Sequence, residues 1–452
     1  MLDCLLTNAH IIDPQSGADY LGSLGMKEGK IDALFQANNP LPSAKETLDI
    51  EGKILVPGFV DVHSHCENSI PCAEKLLAMG VTTAISGNCG YSTDNLERFF
   101  AEYEKGGFPI NQLEQIGHSI LRRKAGQNDI NIPASSLQVE KMKRFTAEAF
   151  SAGACGLSFG LEYDPGSSPE EVLELSKTAA ENKRFISIHG RVCSWDDVHS
   201  LWEALDLAPL TGAQVIYSHL VYMHSGEKLE EALRIITEYR RKKASIWVDS
   251  GMYTAFSTIA GSPAFNEDYF LSHEAELKRL RAATGKYAGQ TLDRDKFMEM
   301  RKSYPHEHII YDPGNIDDVF VAYSLPDVMV STDSIEYPEG EGHPQGAATY
   351  PYFFRVMVKE RKQLSLSEAV RRCTLLPAQA AGLETKGRLS GGMDADLVVL
   401  DWENLKENAD FPGRGDPNAP PSGVKHVFVN GVQSIKNEKR LSGVSAGHSI
   451  RC

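Results

Sequence analysis

The chain has 452 residues, 42% of them hydrophobic and 24% charged, with a formal net charge of −15. Those proportions are ordinary for a globular chain. The acidic surplus argues against nucleic acid or an anionic membrane surface as partner, since both are polyanions. No stretch approaches the ~20 apolar residues of a membrane span. The opening Met1 to Asn8 carries Asp3 where a signal peptide would be basic, and the eight cysteines have no framework spacing. Both point to a cytoplasmic protein with reduced thiols.

In chain order, residues 1–52 read as short strands and turns, among them Leu5 to Ile12 and Gly25 to Leu34. Strands then alternate with helices. Ile54 to Val62, Val81 to Ser86, Gly156 to Gly160, Phe185 to Ile188, Val215 to Tyr217, Ser245 to Val248, Ile309 to Tyr311 and Val328 to Ser331 are predicted strands. Cys72 to Met79, Leu96 to Tyr103, Pro169 to Asn182, Trp195 to Leu205, Leu229 to Arg241 and Ser367 to Ala381 are predicted helices. Residues 262–308 interrupt the rhythm as a long polar insertion, expected to overhang a functional face. Residues 408–423 form a Pro- and Gly-rich loop, and Ala395 to Asp401 and Val424 to Gly431 return to strand patterning. The alternation predicts an α/β protein built on a (β/α)8 barrel over residues 53–388. Residues 1–52 and 389–452 would together form a small β-sandwich.

Several candidate ligands stand at the C-terminal ends of these runs. They are His63 and His65 after Ile54 to Val62, Cys89 in Gly87-Asn88-Cys89-Gly90, His189 after Phe185 to Ile188, and His219 after Val215 to Tyr217. In a parallel barrel such ends converge on one face. Two imidazoles at i and i+2 on an extended strand point the same way. Thiolate with imidazole favours zinc over magnesium or calcium. Asp333 ends the strand Val328 to Ser331 and supplies a carboxylate to handle protons beside such an ion. Cys66 follows the His-x-His pair but, at i+3 from His63, is expected on the opposite side of the strand. His224, in the loop after His219, is a candidate substrate contact, whereas Arg240 to Lys243 reads as a solvated helix end.

These segments resemble the amidohydrolase superfamily, and within it the N-acyl-D-amino-acid deacylase (D-aminoacylase) family. Pro57 to His65, Gly87 to Gly90, Gly117 to Arg122, Gly156 to Gly166, His189-Gly190-Arg191, Ser218-His219 and Ala395 to Leu400 carry the likeness. The resemblance implies a zinc-dependent hydrolase of a non-peptide amide C–N bond in a small molecule. Cys89, His189 and His219 would hold the tight metal. His63, His65 and Asp333 would form a weaker site, with Asp333 as general acid/base and Tyr163 or Tyr253 assisting the oxyanion. The chain departs from the family's carboxylate grip, placing Val221, Gly251 and Gln345 where the family has lysine, tyrosine and arginine. Either Arg191 or the 262–308 insertion supplies a new cation, or the substrate has no carboxylate there. The alternatives are opening of a cyclic amide, hydrolytic deamination, and a catalytically inactive barrel kept for binding or assembly.

Overall fold

Apolar, β-branched runs from both ends of the chain pair with one another in the computed structural model, which describes residues 1–191 and 198–452. Leu2–Asp13, Ala18–Lys27, Lys30–Gln36, Ala44–Asp49 and Ile54–Pro57 come from one terminus. Leu397–Leu400, Val424–Val429, Val432–Lys436 and Lys439–Arg440 come from the other, and all nine share a single sheet. The seam is antiparallel, with Val398 opposite Val56. Leu6, Ile11, Leu24, Leu55, Val399 and Phe428 close a core against one side of it.

Two larger parallel sheets follow, beside a parallel pair of Ser64–His65 with Ser334–Ile335. Phe59–Asp61, Val81–Ser86 and Asn111–Glu114 form the first. Ile116–Gly117, Gly156–Gly160, Phe185–His189, Val215–Tyr217, Ile246–Ser250 and Val328–Val330 form the second, each strand beside its successor. Parallel neighbours need crossovers, and helices supply them. Their starts are written in the sequence. Ser69 and Ser168 cap Ile70–Ala78 and Pro169–Glu181 ahead of a proline in the first turn. Ser135 and Gln138 form a reciprocal capping box on Ser136–Ala152. The ends of the two parallel sheets approach each other where Tyr350 donates toward the carbonyls of both Val60 and Val330.

Some expectations need correction. Ile309 to Tyr311 is no member of the parallel series. Within His308–Tyr311 it pairs antiparallel with Phe256–Ile259 and Leu280–Ala282. These strands give the insertion its own core of Phe265, Phe270, Leu280, Phe297 and Ile309, so it spans more than residues 262–308. An apolar run of three residues does not reveal the direction of its partner. Asn111–Glu114 is a strand that its polar residues concealed. The Asn111 amide bonds Asp396 and the Thr82 carbonyl, and the Gln112 amide bonds Ser86, so burial is satisfied by hydrogen bonds. The late helix expected over Ser367 to Ala381 breaks at Thr374 into Leu366–Cys373 and Leu375–Ala380. The start expected at Trp195 lies outside the described residues, as does Cys193, and the helix is observed as His199–Thr211. Among the described residues, no helix is long and apolar enough to cross a membrane.

Candidate metal centre

Strand ends and unusual turns bring the candidate ligands together. His189 is the last residue of its strand, and His63 and His65 lie just past Phe59–Asp61. Cys89, His219 and Asp333 follow their strands in the left-handed region, at φ 52°, 36° and 49°. Such backbone is costly for non-glycine residues and gathers at functional sites. Gly87 and Gly90 flank Cys89 with φ 78° and 81°, the conformation that turns its sulfur inward. Gly160 passes so close that an added Cβ would fall 2.0 Å from the Cys89 carbonyl oxygen.

The donor atoms converge. Cys89 Sγ is 3.2 Å from His63 Nε2 and 3.6 Å from His219 Nε2. His189 Nδ1 stands 2.9 Å from that same His219 nitrogen. Asp333 Oδ1 lies 3.5 Å from His63 Nε2 and 3.3 Å from His65 Nε2. Two trios of mutually close donors result, His63 with Cys89 and His219, and His63 with His65 and Asp333. His63 therefore belongs to both, whereas the resemblance gave it to the weaker site alone. His189 joins through His219.

The electrostatics fit a cation. Burial opposes a thiolate at Cys89, but the neighbouring imidazoles of His63, His189 and His219 override it and hold the thiol well below its ordinary range. Burial likewise opposes charge on Asp333, but the imidazoles of His65 and His63 together outweigh it and hold the carboxyl below its ordinary value. The His189 and His219 nitrogens, 2.9 Å apart beside the Cys89 sulfur, are spaced to share a proton or an ion. Sulfur with several imidazoles is a donor set suited to zinc.

A surrounding layer of acids, not foreseen from the sequence, fixes the ligands. Glu162 Oε2 lies 2.7 Å from His189 Nε2, so that nitrogen donates to the carboxylate and Nδ1 is the nitrogen that faces the cluster. Asp249 accepts from the His219 backbone N–H at 2.9 Å and lies 3.6 Å from His63 Nδ1. Asp61 accepts from the His63 N–H and the Thr332 hydroxyl. Glu162 sits inside one motif and Asp249 extends a predicted strand. Their positions were visible, but a contact made by a second strand was not.

The substrate candidates divide. Tyr163 lies with its ring 4.7 Å from that of His189, and burial first, then Cys89 and Glu162, keep it a neutral phenol. Tyr253 packs among His343, Tyr352 and Phe411. His224 is fully buried against the Tyr217 hydroxyl at 2.9 Å. The Arg191 guanidinium is held by Glu203 and the carbonyls of Pro165 and Ser167. Gln345 uses both ends of its amide within the protein. Nε2 donates to the Asp333 carbonyl at 2.7 Å, and Oε1 accepts from the Tyr222 hydroxyl at 2.7 Å.

An amidohydrolase-family model matches residues 341–435. The chain is 25% identical to the D-aminoacylase of Alcaligenes xylosoxydans xylosoxydans, over 99% of this chain and 97% of that protein. It is 33% identical to a dihydroorotase of Elusimicrobium minutum, over 96% and 98% of the two chains. Its fold matches that of N-acyl-D-glutamate deacylase from Bordetella bronchiseptica, solved with zinc and a phosphonate mimic of the tetrahedral intermediate. That match has a TM-score of 0.87 at 24% identity and covers 100% of both chains.

Proposed function

Since this chain belongs to the amidohydrolase superfamily, in its N-acyl-D-amino-acid deacylase (D-aminoacylase) family, we propose that it is a zinc-dependent hydrolase of a small-molecule amide whose recognised group carries no charge. It is a hydrolase of carbon–nitrogen bonds other than peptide bonds, and a divalent metal is its cofactor. In this reading the parallel strands from Phe59–Asp61 onward form one (β/α)8 barrel within residues 53–388, Ile54–Pro57 joins the terminal strands, and those strands make a small sandwich. Eight cysteines without framework spacing support a cytoplasmic location.

Cys89, His189 and His219 would hold the tight ion, with His63, His65 and Asp333 holding a second, weaker one. A divalent ion bound there polarises an amide carbonyl and lowers the pKa of water to about 7. The protein does the remainder. Asp333, on the rim of the cluster beside His63 and His65, takes the proton of the attacking water and passes it to the departing nitrogen. Tyr163, a neutral phenol beside His189, donates to the developing oxyanion. Glu162 and Asp249 keep the imidazoles aimed.

The observation that carries the substrate reading is that Gln345 and Arg191 are both engaged within the protein. Gln345 is neutral and bonds the protein at both ends of its amide, and Arg191 is held by Glu203 and two carbonyls. From the insertion, Arg279, Arg281 and Arg301 bond backbone carbonyls. A carboxylate bound without a cation forgoes a charge-assisted bond worth about 1.5–3 kcal/mol and still bears desolvation. The similarity to a dihydroorotase supports a second reading, opening of a cyclic amide on the same centre. The test compares kcat/KM for an N-acyl-D-amino acid, its carboxamide and a cyclic amide. The neutral compounds should lead the free acid by tenfold or more, and a preference for the acid refutes the reading. One product molecule instead of two, or ammonia, separates ring opening and deamination from deacylation.

A further inference from the structure

Tyr222 lies three residues beyond His219, in the short helix Leu220–Met223, and is 5% exposed. Its ring packs 5.4 Å from that of His219, and its hydroxyl donates to Gln345 Oε1 at 2.7 Å. Gln345 is itself 1% exposed and passes the contact on, its Nε2 donating to the Asp333 carbonyl at 2.7 Å. The other side of Asp333 is pinned as well, its N–H donating to the His63 carbonyl at 2.8 Å. A left-handed aspartate is thus clamped at both backbone polar groups. Gly251 makes the arrangement possible. A Cβ there would stand 2.9 Å from the Tyr222 hydroxyl oxygen, so a larger residue would push the phenol off Gln345.

The Gln345 amide has one workable orientation. If it were flipped, its oxygen would face the Asp333 carbonyl, leaving two acceptors opposed. Correctly placed, the carbonyl end needs a buried donor, and Tyr222 provides it. We propose that Tyr222 is a positioning residue, which through Gln345 fixes the backbone of Asp333 and thereby the aim of its carboxylate, and which does not itself grip substrate. The inference rests on the proposed role of Asp333 as proton carrier.

The test uses zinc-loaded protein and a double-mutant cycle of Tyr222→Phe and Gln345→Leu. Tyr222→Phe should lower kcat on the preferred amide about tenfold and leave KM within about twofold. In the Gln345→Leu background it should cost nothing further, because two links in series fail together. Additive losses, unchanged kcat, or a raised KM at unchanged kcat would overturn the proposal. Zinc titration of the same four proteins gives a readout independent of turnover. Tyr222→Phe should weaken the site containing Asp333 and spare the tight one, and unchanged affinity at both sites counts against the positioning role. If the parent hydrolyses no amide, the hydrolase reading fails by itself, and the titration alone decides the role of Tyr222.

Discussion

At the scale of single residues, the account turns on Asp333. It is the carboxylate that touches both His63 and His65, and its backbone is clamped on either side. Asp333→Asn preserves the size of the group and removes its ability to accept a proton. Turnover should fall by ~10²–10⁴ while the tight metal stays bound. Steady-state kinetics with metal analysis on the same sample checks this, and near-parental turnover would show that another group carries the proton. The ligand candidates were readable from the sequence because each ends an apolar run and is itself chemically unusual there. Glu162, Asp249 and Tyr222 were not, because each acts on a residue of another strand or loop. The partners of Arg191 and Gln345 were hidden for a related reason. A cation or an amide near a motif suggests substrate, and only its partners reveal that it is already in use.

At the scale of elements, the strand ends approach one another closely, and glycines make room. Gly160 ends Gly156–Gly160 against the Cys89 carbonyl, and Gly117 meets the Gly90 carbonyl 2.2 Å from where its Cβ would be. Gly160→Ala must therefore displace the turn that carries Cys89. Overpacking of this kind costs ~1–3 kcal/mol, and here the displacement also moves a ligand. The variant should unfold at lower denaturant and bind zinc more weakly. Parental affinity would mean that the turn yields without moving the sulfur. The alternating strands and helices were legible because parallel strands buried on both faces read as continuous apolar runs. The insertion was recognised as an interruption, but its antiparallel pairing of Phe256–Ile259 with His308–Tyr311 joins residues too far apart for local patterning to show.

At the scale of the whole molecule, one buried ion group ties the terminal sheet to the parallel strands. Lys386 is 4% exposed and lies 2.6 Å from Asp396 and 3.0 Å from Asp394. Asp396 also accepts from the Asn111 amide of the first parallel sheet and from the backbone N–H of Asn430. Lys386→Met should cost ~3–5 kcal/mol in denaturant unfolding, because it leaves buried carboxylates without their cation. Burial alone would raise the Asp394 carboxyl, but Lys386, Lys30 and Thr385 hold it below 3.8. A depressed acid contributes stability that is present above its unfolded value and lost as pH falls through the folded one. That loss belongs below pH 3.8 and should shrink in the Lys386 variant. The whole molecule is read as a metal-dependent amide hydrolase. Its most direct test is to strip the purified protein with chelator, measure hydrolysis of a neutral N-acyl carboxamide, and return zinc in steps. Activity should vanish on removal and return as the tight site fills, and Cys89→Ala should neither retain that ion nor recover. Full activity in the stripped protein, or in Cys89→Ala without tightly held metal, would contradict the account.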